Sequence, residues 1–382
     1  MAAASALSVT PPVSMSMSTA TTIASDNLDD LWIDKFLLKK LQRKEQQKQR
    51  PIFAPSVGHL LKLPQAIDQQ LKDLSNTTVV PSGLIAALWR ILEANTRKHE
   101  HSWRFVETDG RFDYSDDIIP DSVEVPDTVF GRFRDVLLVK DTALSDRIRS
   151  KDDGEVCYLH ANHVDLGCGR RFIAGQKPVS GETPGFQHML IEQNVGLIVD
   201  LTRSREEQQA GVYIPGHKTE FLRSDGYRVA VSCNQTKRLK DLTAVCQSFR
   251  INAGAATNEL QRLHFLEWPD HGVIAADTLI ALADEIDRLS TDPKRSIFMH
   301  CMAGMGRTGT MMSFLAARTR IAQELSTKKI MFSTEMALRI AMDVVARGRR
   351  DRGPLFVQTE GQFALLARTL LKDFLRKPPH EH

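Results

Sequence analysis

The chain has 382 residues, 42% of them hydrophobic and 25% charged, with a formal net charge of +3. That is enough chain for a full hydrophobic core, too little charge imbalance to call for a nucleic-acid partner, and it contains no apolar run long enough to span a membrane. Five cysteines (Cys157, Cys168, Cys233, Cys246 and Cys301) are odd in number, irregularly spaced and without a C-x-x-C pair, so a disulfide framework and a zinc site are excluded, a reducing compartment suits them, and no metal or other cofactor is implied.

Residues 1–27, "MAAASALSVTPPVSMSMSTATTIASDN", are rich in Ser and Thr and precede the first basic residue, Lys35. A secretory signal peptide needs a basic start and an apolar core, so this stretch reads as a disordered tail. Leu28, Trp32 and Phe36 then recur four apart and predict an amphipathic helix that ends in a basic, Gln-rich run up to Arg50, a solvated helix end. "PSGLIAALWRILEANTRKHEH" predicts a second helix, capped by Ser82 and buried along Leu84, Leu88, Ile91 and Leu92. His99 and His101 lie two apart, not the i, i+4 spacing of helical metal ligands, and read as surface residues. The acidic, Pro-bearing "DYSDDIIPDSVEVPD" places a domain boundary near residue 120: a helical region over 28–120, a second domain over 121–376 and a short flexible tail over 377–382.

Beyond the boundary strand-like and helix-like segments alternate, which predicts an α/β fold. "VGLIVDL" (Val195–Leu201), "LHFLEW" (Leu263–Trp268) and "SIFM" (Ser296–Met299) are buried-strand runs. Leu279, Leu282, Ile286 and Leu289 mark one helix; Met311, Phe314, Leu315, Arg318, Ala322 and Leu325 mark another.

Between the last strand and the last of these helices runs "HCMAGMGRTGT", His300 to Thr310. A strand-to-helix junction is an anion site, because the first amides of the helix point outward and its dipole adds positive potential. Gly304, Gly306 and Gly309 let the backbone curl so that the amides of the Met302, Ala303, Gly304, Met305, Gly306 stretch face one centre. Arg307 closes the ring with a planar fork for two phosphate oxygens. Cys301 sits at its base, where amide dipoles and a guanidinium favour the ionised sulfur. Such a thiolate suits in-line attack on phosphorus and a cysteinyl-phosphate intermediate. The Thr308 hydroxyl is placed to hydrogen-bond the sulfur when it leaves, and His300 to order the loop rather than to act as a base. The leaving oxygen needs a proton. "EWPDHGV" (Glu267–Val273) supplies Asp270 as general acid and later base, with Trp268 and Pro269 as a stiff segment and Gly272 as the hinge.

These stretches together resemble the classical protein tyrosine phosphatases. "HCMAGMGRTG" is similar to that family's signature loop and "WPDHGV" to its acid loop. "GRFRDV" (Gly131–Val136) resembles the phosphotyrosine-recognition segment, "YLHANHV" and "RFIAGQKP" the paired strands after it, and "VQTEGQF" the glutamine loop. The resemblance spans about residues 125–375. It implies a central twisted mixed sheet flanked by helices, preceded by a mostly helical N-terminal segment. It implies that Glu206 pairs with Arg307, that Gln358 and Gln362 position the hydrolytic water, that Phe133 stacks on the substrate ring and that Asp135 grips the substrate backbone. Phe133 stands where the family carries Tyr, Gly131 where it carries Asn, and His271 in place of a more usual aromatic or Gln.

The implied function is hydrolysis of phosphotyrosine on proteins, in a pocket deep enough to exclude phosphoserine. An inositol-phosphate or phytate phosphatase is an alternative, disfavoured by Met302 and Met305 where those enzymes carry Lys; a silent phosphotyrosine-binding module is another, disfavoured because Cys301, Arg307 and Asp270 are all present. The architecture also resembles bacterial type III effector phosphatases. That resemblance implies a leader that directs export from the bacterial cytoplasm into a host cell, and a secretion chaperone that binds the N-terminal region.

Overall fold

Eight strands form one sheet in the order β1-β2-β8-β3-β7-β6-β5-β4. They are β1 (Ala161–Val164), β2 (Phe172–Gly175), β3 (Val195–Asp200), β4 (Thr219–Leu222), β5 (Arg228–Leu239), β6 (Ala244–Ala253), β7 (Ala256–Phe265) and β8 (Ser296–His300). The computed structural model describes residues 61–74, 79–99, 133, 136–144, 159–178, 183–210, 213–214, 218–222 and 228–376. The Ser/Thr-rich leader, the Leu28–Phe36 pattern, the acidic connector and residues 377–382 lie outside the described residues.

The centre of the sheet is parallel: β8 lies between β2 and β3, and β3 between β8 and β7. Of the three apolar runs read from the sequence, Val195–Leu201 holds β3, Ser296–Met299 lies in β8, and Leu263–Trp268 overlaps only the end of β7. β8 and β2 are buried along their whole length and β3 nearly so, because helices cover both faces of a parallel sheet and remove the polar alternation. The flanks are antiparallel: β1 on β2, and β7-β6-β5-β4 as a meander. Much of β5 is exposed, so the meander left only a weak hydrophobic signal in the sequence.

One face of the sheet carries the large core. Helices α5 (Ala276–Leu289), α6 (Gly306–Lys328), α7 (Thr334–Arg352) and α8 (Glu360–Arg376) pack there around Met311, Phe314, Leu315, Leu338, Val345, Phe363 and Leu370. On the other face Phe186 and Leu190 of α3 (Thr183–Glu192) meet Ile198, Val231, Phe249 and Phe298. A short helix, α4 (Ser204–Ala210), follows β3.

The first two described helices, α1 (Gln65–Asp73) and α2 (Ser82–Lys98), share the large core: Leu71, Leu84, Ile85, Leu88 and Leu92 are buried in it. Ile91, expected in the buried stripe, is half-buried, and Ile85 takes the deeper place. Arg349 of α7 ties α2 down by donating to Glu93 and Thr96, each at 2.7 Å, with its guanidinium 4.7 Å above the Trp89 ring. Pro55–His382 forms one of two compact units, and the connector where a boundary was expected lies outside the described residues. Pro81, not Ser82, precedes the first turn of α2, and no side chain caps it; the Ser82 hydroxyl instead accepts from Arg368 of α8.

Candidate active site

β8 ends at His300 and α6 begins at Gly306, which leaves Cys301 to Met305 to turn the chain. The carbonyls of this turn are pulled outward by neighbours. Met302 accepts from the Lys177 amide at 3.0 Å, Ala303 from Arg352 Nη2 at 3.1 Å, and Gly304 from Arg352 Nε at 3.3 Å. Arg352 is itself held by Asn162 Oδ1 at 2.7 Å. In a planar trans peptide the N–H points opposite the C=O, so these contacts turn the amides of residues 303–305 toward one centre. The amides of Gly306, Arg307 and Thr308 join them as the unpaired first turn of α6, since its first backbone bond runs from Gly309 to Met305.

The three glycines act differently from the sequence-based expectation. Only Gly304 adopts a left-handed backbone, with φ +69°, and an added Cβ would lie 1.9 Å from the Gly175 carbonyl oxygen. Gly306 and Gly309 are helical, and their use is close approach. A Cβ on Gly309 would meet the Val357 amide at 2.5 Å, and one on Gly306 would meet the Gln358 and Gln362 side chains at 2.9 Å. Val357 itself is a buried β-branched residue at φ +58°, a conformation that costs about 1–3 kcal/mol and that the fold imposes immediately before Gln358. The Met305 side chain is buried, with its Cε 3.7 Å from the position of a Cβ on Gly353, so Met305 lines the cradle through its backbone.

Arg307 is 1% exposed. Its Nη1 and Nη2 donate to the two Glu206 oxygens at 2.7 and 3.2 Å, and Nη1 also reaches the Leu201 and Trp268 carbonyls, both at 3.2 Å. Burial works against its charge, but the Cys301 sulfur, Glu206 and Asp270 outweigh that and hold the guanidinium above its ordinary pKa. Its Nε is buried and has no hydrogen-bond partner among the described residues; the same is true of the Thr308 hydroxyl. Two orphaned donors beside six inward amides and a buried Cys301 make a site shaped for a tetrahedral oxyanion.

Asp270 lies over this cradle: Arg307 Nη2 donates to its Oδ1 at 3.0 Å. Trp268 is fully buried against Phe265, and its indole N–H donates to the Gly272 carbonyl at 3.2 Å. The tight turn is closed by the Gly272 amide on the Pro269 carbonyl. The left-handed residue here is His271, at φ +53°, and not the hinge expected at Gly272, where a Cβ would crowd Pro269 at 2.8 Å. Gln362 Oε1 accepts from the Gln358 amide at 2.8 Å, and Gln362 Nε2 reaches the Gly272 carbonyl at 3.5 Å, which links the glutamine segment to the acid loop.

His300 is fully buried. Its Nδ1 donates to the Cys301 carbonyl at 3.1 Å and its Nε2 accepts from the Tyr213 hydroxyl at 2.7 Å. Burial pushes its pKa down to about 4, with the Asp200 carboxylate working the other way. A neutral imidazole thus bridges the Tyr213 hydroxyl and the backbone carbonyl of Cys301. Phe133 is half-buried, and its carbonyl accepts from the Val136 amide; Gly131 and Asp135 lie outside the described residues. Sequence reasoning missed Arg352, Asn162 and Tyr213. "VYIP", a few residues after Glu206, was the available signal for Tyr213; Arg352 was one of five arginines between 339 and 352, with nothing to single it out.

A family model described as protein-tyrosine phosphatase matches residues 131–372. The chain is 25% identical over 250 residues to tyrosine-protein phosphatase 1 of Caenorhabditis elegans, covering 64% of this chain and 23% of the relative. It is 30% identical over 184 residues to tyrosine-protein phosphatase 3 of Schizosaccharomyces pombe, covering 46% and 60%. The chain therefore spans less than two thirds of these curated relatives. The catalytic domain of human protein tyrosine phosphatase non-receptor type 18 superposes with a TM-score of 0.59 at 22% identity, covering 81% of this chain and 99% of that one, a likeness of fold.

Proposed function

The chain belongs to the protein-tyrosine phosphatase family, and from that premise we propose that it hydrolyses phosphotyrosine on proteins through a cysteinyl-phosphate intermediate. The observation that carries this reading is the pair of unsatisfied buried donors, Arg307 Nε and Thr308 Oγ1, beside Cys301. The phosphoryl oxygens take the inward amides and the guanidinium. The Cys301 sulfur attacks phosphorus, the S–P bond forms as the P–O bond to the tyrosine breaks, and Asp270 gives its proton to the departing phenolate. Water held by Gln358 and Gln362 then loses a proton to Asp270 and attacks phosphorus. The S–P bond breaks, and Thr308 donates to the sulfur as it leaves. Among the solved structures of similar fold, PTPN18 is in complex with HER2-pY1196 phosphopeptides, which supports a phosphopeptide substrate here.

The test is turnover of a phosphotyrosine peptide against inositol hexakisphosphate. Preference for the peptide is expected; preference for the inositol phosphate would overturn the reading. Asp270→Asn should lower kcat by about 10²–10⁴-fold with little change in KM. A change confined to KM would make Asp270 a binding residue.

We further propose that the protein is a bacterial type III effector that acts inside a host cell. The Ser/Thr-rich composition of residues 1–27 supports this; the curated relatives named above are eukaryotic. Because α1 and α2 bury their apolar faces in the shared core, the segment before residue 61 is the part proposed to bind a secretion chaperone. Deleting residues 2–27 should abolish type III-dependent export and leave phosphatase activity intact; undiminished export would sink the idea.

A further inference from the structure

The register of the parallel strands sets three buried residues in a row: His300 at the end of β8 pairs with Asp200 at the end of β3, and Asp200 pairs with His264 near the end of β7. Asp200 is fully buried. Its Oδ1 accepts from the Thr202 amide at 2.9 Å and the Thr202 hydroxyl at 2.6 Å; its Oδ2 accepts from Arg262 Nη2 at 2.5 Å and lies 3.3 Å from the Tyr213 hydroxyl and 3.5 Å from His300 Nε2. The donor atoms of Asp200, Glu207 and His264 lie within 4.8 Å of one another, a spacing that could hold a cation. Arg262 Nη2 already bridges the carboxylates, 2.5 Å from Asp200 and 2.6 Å from Glu207, so the cluster is a charge network and not a metal site.

We propose that Asp200 is a positioning residue for the chemistry at Cys301: it steadies the Tyr213 hydroxyl that holds His300, and through His300 the backbone at Cys301, while Arg262 offsets its charge so that no net negative charge stands behind the sulfur. The inference rests on the phosphatase reading of Cys301. His300 Nδ1 donates to the Cys301 carbonyl, so Nε2 must accept, and the single Tyr213 proton has both His300 and Asp200 within reach. Burial, seconded by the Asp200 carboxylate, pushes the Tyr213 phenol well above its ordinary range, so it remains a donor. Burial would drive Asp200 toward protonation, but the positive groups around it, of which Arg262 and Lys177 stay charged at neutral pH, hold it well below the usual carboxylate range. A charged carboxylate one strand from Cys301 raises the cost of an ionised sulfur unless it is balanced. The groups that set the balance are Lys177 after β2, His300 on β8, Arg262 and His264 on β7, Glu207 on α4 and Tyr213 beyond it, with Arg307, Glu206 and Asp270 on the substrate side.

The test is the pH dependence of Cys301 alkylation by iodoacetamide, a neutral reagent, on the full chain, read beside kcat/KM for a phosphotyrosine peptide. Asp200→Asn should move the acid limb of both profiles to lower pH by about one unit, the size expected for one buried charge at about 10 Å in an effective dielectric of about 20. Arg262→Gln should move it to higher pH by a similar amount, and the double variant should return it to the wild-type position. Glu207→Gln, at a partly exposed site, should shift it in the same direction as Asp200→Asn but less, and with Arg262→Gln it carries the test if Asp200→Asn does not fold. Limbs that stay in place, or single variants that shift the same way, would reduce Asp200 to a structural ion pair and overturn the proposal. Alkylation needs no phosphoester, so a failed phosphatase reading would show separately, as absent wild-type turnover beside alkylation profiles that still shift with these variants.

Discussion

Cys301→Ser should abolish turnover and leave phosphopeptide binding intact. The substitution keeps shape and removes only the ionisable sulfur; a serine hydroxyl in the same cradle has no base to activate it, because burial lowers the pKa of His300 to about 4, which makes it a weak base, and both its nitrogens are engaged. A loss of at least about 10⁴-fold in kcat is expected, equivalent to about 5 kcal/mol of barrier. The binding groups, the amides of residues 303–308 and the Arg307 fork, are untouched, so the phosphopeptide Kd measured by calorimetry should stay within about tenfold. Residual turnover above a few per cent would mean that the sulfur is not the nucleophile.

Arg307→Lys should lose both catalysis and binding. Arg307 satisfies both Glu206 oxygens, two main-chain carbonyls and Asp270 at once and still has Nε left for substrate. An ammonium has three donors at tetrahedral angles and cannot present a fork. Glu206, 7% exposed, would be left partly unpaired, and breaking a buried pair costs about 3–5 kcal/mol. Expected are a fall of about 10³–10⁴-fold in kcat/KM and a lower Tm, the latter absent in Cys301→Ser. Retention of kcat/KM within tenfold would show that a point charge suffices and that the fork geometry is unimportant.

What the sequence made legible follows from where each signal is local. The strand ends, the loop and the start of α6 are consecutive in the chain, so the Cys301–Arg307 cradle could be assembled from spacing alone. Asp270 was reached from the "EWPDHGV" stretch and Glu206 through resemblance, and the structure brings both to Arg307. The antiparallel meander was not legible, because its half-exposed strands lack a continuous apolar run. The roles of Gly306 and Gly309 were misread, since what forbids a side chain there is the Gln358 and Val357 region some fifty residues later. Arg352 escaped for the same reason: its partners, Ala303, Gly304 and Asn162, are close only after the sheet and α7 have met.

The central claim is that inward amides and one guanidinium keep the Cys301 sulfur ionised and aimed at a phosphoester. Iodoacetate, an anion that the cradle should attract, measures this directly when the inactivation rate at Cys301 is followed from pH 5 to 9. The account predicts fast, single-site inactivation that is already at its plateau by pH 7 and is blocked by inorganic phosphate. A rate that climbs about tenfold per pH unit through neutrality, as a protonated thiol gives, and that phosphate does not slow, would contradict it.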